Sequence, residues 1–140
     1  MATPVLFIHG LWLHASSWNP WIERFRAAGY DPQAPGWPGD GDTVEDSRRD
    51  PDAIGDHGID DVVAHFAAVI DTLPSTPILV GHSFGGLIAQ KLLGQDKALA
   101  AVAIDAAQIK GVLPVPLSAL RATLPVFRNP ANKHRSVSLT

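Results

Sequence analysis

Apolar residues along this chain keep two rhythms. Three short runs, PVLFI at 4–8, PILV at 77–80 and LAAVAI at 99–104, are unbroken, and a strand apolar on both faces fits a buried parallel sheet. Ile59, Val62, Val63, Phe66, Val69, Ile70 and Leu73 instead recur every three or four positions and predict one face of an amphipathic helix. Asn19-Pro20 predicts a second helix start, with Asn as N-cap and Pro at the first helical position, where it forfeits no hydrogen bond. Trp21, Ile22 and Phe25 follow at helical spacing, and Gly29 ends the element. Residues 84–93 read as a helix closed by Gly94, and residues 30–35 as a weaker strand. Residues 36–58 are crowded with Gly, Pro and Asp and read as a long loop. Beyond Asp105 the texture changes to short apolar pieces broken by Pro114, Pro116, Pro125 and Pro130.

Strands alternating with helices predict βαβ units with right-handed crossovers, hence an α/β fold with a parallel sheet and flanking helices. In such sheets ligands bind beyond the carboxyl ends of the strands. His9-Gly10, residues 81–85 and Asp105 all fall at such ends.

A chain of 140 residues can hold one core. The absence of cysteine excludes disulfides and thiolate metal sites. No run approaches the ~18 apolar residues of a membrane-crossing helix. The start, MATPVLFIHG, lacks the basic residues of a signal peptide, so the expectation is a cytoplasmic protein with no membrane partner. The net charge of −3 is unevenly spread: residues 1–105 carry 6 − 14 = −8 and residues 106–140 carry +5. Those five bases are scattered, with the single aromatic Phe127 among them, and read as solvated surface with no nucleic-acid site. Their lack of acidic partners reads as a tail cut from something larger. Asp40, Asp42, Glu45 and Asp46 lack the spacing of a calcium loop and read as a solvated acidic loop, so neither metal nor cofactor is expected.

The chemistry concentrates at Gly81-His82-Ser83-Phe84-Gly85, which fits G-x-S-x-G with a strand before it and a helix after it. A sharp strand-to-helix turn strains the serine backbone and leaves room only for tiny neighbours, while the helix N-terminus aims its N–H groups at the same space. The competing reading of Ser83 is a helix N-cap, but capping alone asks for glycine on neither side.

Three stretches in order, VLFIHGLW, GWPGDGD and VGHSFGGL, resemble the α/β-hydrolase superfamily in its serine-nucleophile, esterase- and lipase-like branch, over residues 3–107. The resemblance implies that Ser83 is the nucleophile and that backbone N–H groups of Phe84 and Leu11 form the oxyanion hole. It gives His9 and Gly10 the shaping of the loop before Leu11, places His82 beneath the turn, and assigns Gly81 and Gly85 to making the turn possible. Trp12 and Trp37 are candidates to line a pocket for a small apolar ester-like substrate, whereas Trp18 and Trp21 read as core packing.

A serine hydroxyl needs a histidine to take its proton and an acid to orient that histidine, in the family order nucleophile, acid, histidine. Asp105, 22 positions after Ser83 at a strand end, is the candidate acid, against the commoner reading of a turn aspartate. His134 follows no strand and is not accepted as the histidine. The resemblance therefore implies a partial α/β-hydrolase fold of about four strands, the N-terminal half of a longer enzyme. Residues 1–107 would be half of the core and residues 108–140 an incomplete start of a lid or cap segment, with SVSLT no natural end for this fold and the last strand an uncovered apolar edge. The expected function is hydrolysis of ester-like bonds through an acyl-enzyme on Ser83, with little turnover in this form for want of the histidine. The alternatives are a non-catalytic binding protein or pseudo-hydrolase on the same fold, and a cofactor-free haloperoxidase or perhydrolase. Serine at the turn argues against the dehalogenase and epoxide-hydrolase branches, which resemble this one but carry Asp there. Substrate identity and oligomeric state are not legible.

Overall fold

In the computed structural model, which describes residues 1–112, 116–130 and 132, the first strand explains the core. β1 (Pro4–Ile8) is buried along its length because alternate side chains leave on opposite faces: Leu6 and Ile8 enter one apolar cluster, Val5 and Phe7 another. β2 (Asp31–Gln33), β3 (Ile78–His82) and β4 (Ala100–Ile104) complete a four-stranded, all-parallel sheet in the order β2-β1-β3-β4. The expected α/β fold is therefore present, with helices on both faces.

On one face, α1 (Asn19–Ala27) lays Ile22 and Phe25 against Phe7, Trp18 and Val80. Phe7 meets Trp18 at a centroid distance of 5.0 Å and Phe25 edge-on at 5.1 Å, so the large aromatics carry this side. Asn19 is the first residue of α1 and not its N-cap. A 3-10 turn, Ala15–Trp18, runs straight into the helix, and His14 caps that turn by accepting the Ser16 N–H.

Residues 36–58 hold more structure than their composition predicts. α2 (Val44–Arg49) and a 3-10 turn, Pro51–Ile54, form inside them. Thr43 caps α2 by accepting the Asp46 N–H, acids stand in its first turn and arginines in its last, as the helix dipole prefers. Thr43→Ala is expected to cost about 1 kcal/mol, read as faster amide exchange at Asp46 with the sheet amides unchanged.

On the other face, α3 (Ile59–Asp71) buries Val62, Val63, Phe66 and Ile70, the face its periodicity predicts, while Leu73 lies just past its end. α4 (Phe84–Leu93) packs beside it through Ile88, Ala89 and Leu92. β4 pairs only with β3 among the described residues, and Leu99 and Val102 are 65% and 50% exposed, so the expected uncovered apolar edge is found. Farther on, α5 (Leu117–Phe127) presents Leu117, Leu120 and Leu124 to solvent. His134 and the SVSLT segment lie outside the described residues.

Candidate active site

The chain leaves β1 for β2 on one side and returns past β1 to β3 on the other. Strand order therefore reverses between β1 and β3, the position where open α/β sheets leave a crevice at their carboxyl ends. Pairing of Ile8 with Gly81 brings the His9-Gly10 turn beside the end of β3, and pairing of His82 with Ile104 brings Asp105 to the other side.

Between β3 and α4, Ser83 takes φ 55° and ψ −121°, a left-hand φ that a side chain tolerates only under constraint, at a cost on the order of 1–3 kcal/mol. The constraint is visible. The Ser83 N–H donates to the Ile104 carbonyl at 3.0 Å, and the Ser83 carbonyl accepts from Gly86, Leu87 and Ala107 at 3.0, 3.2 and 2.9 Å. Its side chain makes no capping bond to the helix, so the N-cap reading fails, and the residue is half-buried with its hydroxyl uncommitted among the described residues. A Cβ at Gly81 would stand 2.1 Å from the Gly85 carbonyl oxygen, and one at Gly85 would stand 2.1 Å from that of Ile8. The two glycines are thus required by close approach.

Phe84 opens α4, so its N–H has no acceptor within the helix. The His-Gly turn closes on the same spot: a Cβ at Gly10 would lie 2.9 Å from the Ser83 Cβ. Leu11 follows in a turn closed by the Leu13 N–H on the Gly10 carbonyl at 3.2 Å, with Trp12 at φ 65°. The fold therefore gathers Ser83, Phe84, Gly10 and Leu11.

Beneath the turn, His9 is 2% exposed. Its Nε2 lies 2.9 Å from Asp40 Oδ2, its Nδ1 lies 2.9 Å from the Gly10 carbonyl oxygen, and its ring stacks on Trp37. The Trp37 N–H donates to the same Asp40 oxygen at 2.8 Å, and the indole Nε1–H donates to the His9 carbonyl at 3.1 Å. Asp42 and Glu45 are exposed as an acidic loop should be, but the Asp40 side chain is only 7% exposed. Its assignment to a solvated loop is corrected by a simple rule: a buried imidazole requires polar partners, and Asp40 is one. A signal existed in the sequence, since Trp37 to Asp40 spans the four residues of a turn in which aspartate accepts a backbone N–H.

His82 is half-buried, and its Nδ1 is enclosed without a protein partner among the described residues. Trp12 and Trp37 line one small pocket with Leu11, Leu13 and Ile54, although Trp37 is itself largely core. Trp18 is core as expected, while Trp21 is 43% exposed at the edge of the aromatic cluster. Asp105 is exposed at φ 42°, and its carboxylate makes no hydrogen bond or ion pair among the described residues. Among those residues there is also no group of three or more side chains suited to a metal, and no helix is long and apolar enough to cross a membrane.

The sequence profile of the Alpha/beta hydrolase family matches residues 5–139. No curated relative matches the chain. Among solved structures, the methylesterase MES16 from Arabidopsis is 25% identical with a TM-score of 0.61, over 77% of this chain and 45% of its own. An extracellular alpha/beta-hydrolase from a Paenibacillus species is 20% identical with a TM-score of 0.70, over 99% of this chain and 55% of its own. Rv0554 from Mycobacterium tuberculosis is 23% identical with a TM-score of 0.63, over 95% and 56%. The chain spans about half the length of the solved structures it matches.

Proposed function

The chain belongs to the alpha/beta hydrolase family, and from that premise we propose that it carries the nucleophile of a serine hydrolase acting on ester-like bonds of small apolar molecules. The observation that carries this reading is Ser83 itself: a strained, half-buried serine at a strand-to-helix turn whose hydroxyl caps nothing. The methylesterase relative, an ester-cleaving protein by its name, is consistent with it.

In the proposed reaction, Ser83 Oγ attacks the ester carbonyl carbon and gives its proton to a base. The carbonyl oxygen becomes an oxyanion held by the N–H groups of Phe84 and Leu11, each worth about 3 kcal/mol in the transition state. Collapse breaks the bond to the alcohol, which leaves with the proton. Water then attacks the acyl-enzyme, releasing the acid and restoring the hydroxyl.

Among the described residues, no histidine bonds to the Ser83 hydroxyl. His9 has both nitrogens engaged, and His14 and His65 bond to the carbonyls of Gly41 and Gly36. The base of this reading therefore comes from outside the described residues. Asp105 remains its candidate acid, because the bonds from Ser83 to Ile104 and from Ala107 to Ser83 hold it beside the turn. Trp12, which lines the small rim pocket, is the candidate to meet an apolar acyl or alcohol group. The test is treatment with a fluorophosphonate followed by peptide mass mapping. Modification of the peptide containing Ser83 is expected; modification elsewhere, or none on a protein that hydrolyses aryl esters, refutes the assignment.

A further inference from the structure

We infer that Asp40 is a positioning residue for the oxyanion loop, acting through His9 on the peptide between Gly10 and Leu11; this deepens the serine-hydrolase reading and rests on it. The chain of contacts is short. Asp40 Oδ2 faces His9 Nε2, and His9 Nδ1 faces the Gly10 carbonyl oxygen, both at 2.9 Å. That carbonyl also accepts the Leu13 N–H. The Gly10 carbonyl and the Leu11 N–H belong to one planar trans peptide, so fixing the direction of the oxygen fixes the opposite direction of the N–H. The donor expected to stabilise the oxyanion is thus oriented by a side chain two residues away that is itself oriented by Asp40.

The charge at residue 40 matters as well as its shape. Both nitrogens of His9 face oxygens, and the one opposite Nε2 belongs to a carboxylate that also accepts the Trp37 N–H. A carboxylate accepts such bonds more strongly than an amide oxygen does. Asp40 is in turn held in place: Oδ2 accepts the Trp37 N–H at 2.8 Å, and Gly36 leaves it room that a Cβ would take, at 2.9 Å from its own Cβ. The loop is fastened from two further sides by His14 on the Gly41 carbonyl and His65 on the Gly36 carbonyl, each at 3.1 Å. A donor that must not reorganise during reaction needs such a supporting shell.

The experiment compares wild type, Asp40→Asn and Ser83→Ala. By nuclear magnetic resonance, the Leu11 N–H order parameter is expected near ~0.85 in wild type and below ~0.6 in Asp40→Asn, while β1 and β3 amides keep theirs. With an aryl ester, Asp40→Asn is expected to lower kcat about 10- to 100-fold with KM within about threefold, as loss of an oriented oxyanion donor predicts. An unchanged Leu11 order parameter, or an unchanged kcat where the wild type turns the ester over, overturns the proposal. If Asp40→Asn does not fold, His9→Gln decides: its amide reaches Asp40 as Nε2 does and nothing replaces Nδ1, so the same loss of Leu11 order is expected and its persistence is the overturning result. If wild type hydrolyses the ester and Ser83→Ala does so equally well, the nucleophile reading fails, and the order parameter still decides the role of Asp40.

Discussion

Ser83→Ala is expected to remove acyl-enzyme formation and to lower ester turnover by about 10⁴- to 10⁶-fold where the protein is active. The size follows from the chemistry. No other hydroxyl stands on this turn, and the N–H donors can stabilise only a charge that an attacking nucleophile creates. Folding should survive and even gain a little, because the hydroxyl makes no capping bond to α4 and is uncommitted among the described residues. The φ of 55° is as available to alanine as to serine, so the strain at the turn is unrelieved. The check is burst-phase kinetics with an aryl ester, paired with thermal unfolding. A variant that keeps its burst would place the nucleophile elsewhere. A variant that loses both burst and fold would give the hydroxyl a structural role that the contacts do not predict.

The elements legible in the sequence are those whose pattern is fixed by burial. β1 and α4 begin and end where predicted, because a strand buried on both faces and a helix between a glycine-flanked turn and Gly94 leave few alternatives. α2 escaped notice for the complementary reason. The segment VEDSRR has no apolar stripe, and its stability comes from the Thr43 cap and from charges placed along its dipole. The start of α1 differs from the expectation by one residue: Asn19 is its first residue and Trp18 its cap position, while His14 caps the 3-10 turn that precedes it.

At the site, what could be read was what depends on neighbours in sequence. The clash of Gly81 with Gly85 and the strain at Ser83 lie within five residues, so the motif carries them, whereas Gly85 is required by the Ile8 carbonyl, which the sheet brings up from 77 positions away. Asp40 and His9 are 31 positions apart, and only the sheet and the loop after β2 bring them together. Composition placed Asp40 with its solvated acidic neighbours; burial of His9 separates it from them. Asp105 is the intermediate case: its place at a strand end was legible and is found, whereas a role as triad acid depends on a histidine outside the described residues.

Gly85→Ala carries the largest expected cost to the fold. Its Cβ would sit 2.1 Å from the Ile8 carbonyl oxygen and 2.6 Å from that of His9. Both are backbone atoms at the end of a strand that is buried on both faces, so no flexible side chain can swing aside. To make room, α4 would have to lift from β1, separating Ile88 and Leu92 from Leu6 and Ile8 in the larger core cluster. Ordinary overpacking in a core costs about 1–3 kcal/mol. A backbone-to-backbone clash at the hub of the sheet belongs at or above the top of that range, about 3–5 kcal/mol, comparable with the whole stability of a marginal domain. The expected result is a chain that fails to give a cooperative urea transition, or gives one with its midpoint lowered by more than about 1 M. Gly94→Ala is the control: that glycine has a right-handed φ of −66°, and its new Cβ would approach nothing closer than 3.5 Å. It should unfold within about 0.5 kcal/mol of wild type. Equal stability of the two variants would mean that α4 does not rest on β1, and the turn at Ser83 would lose the support described for it.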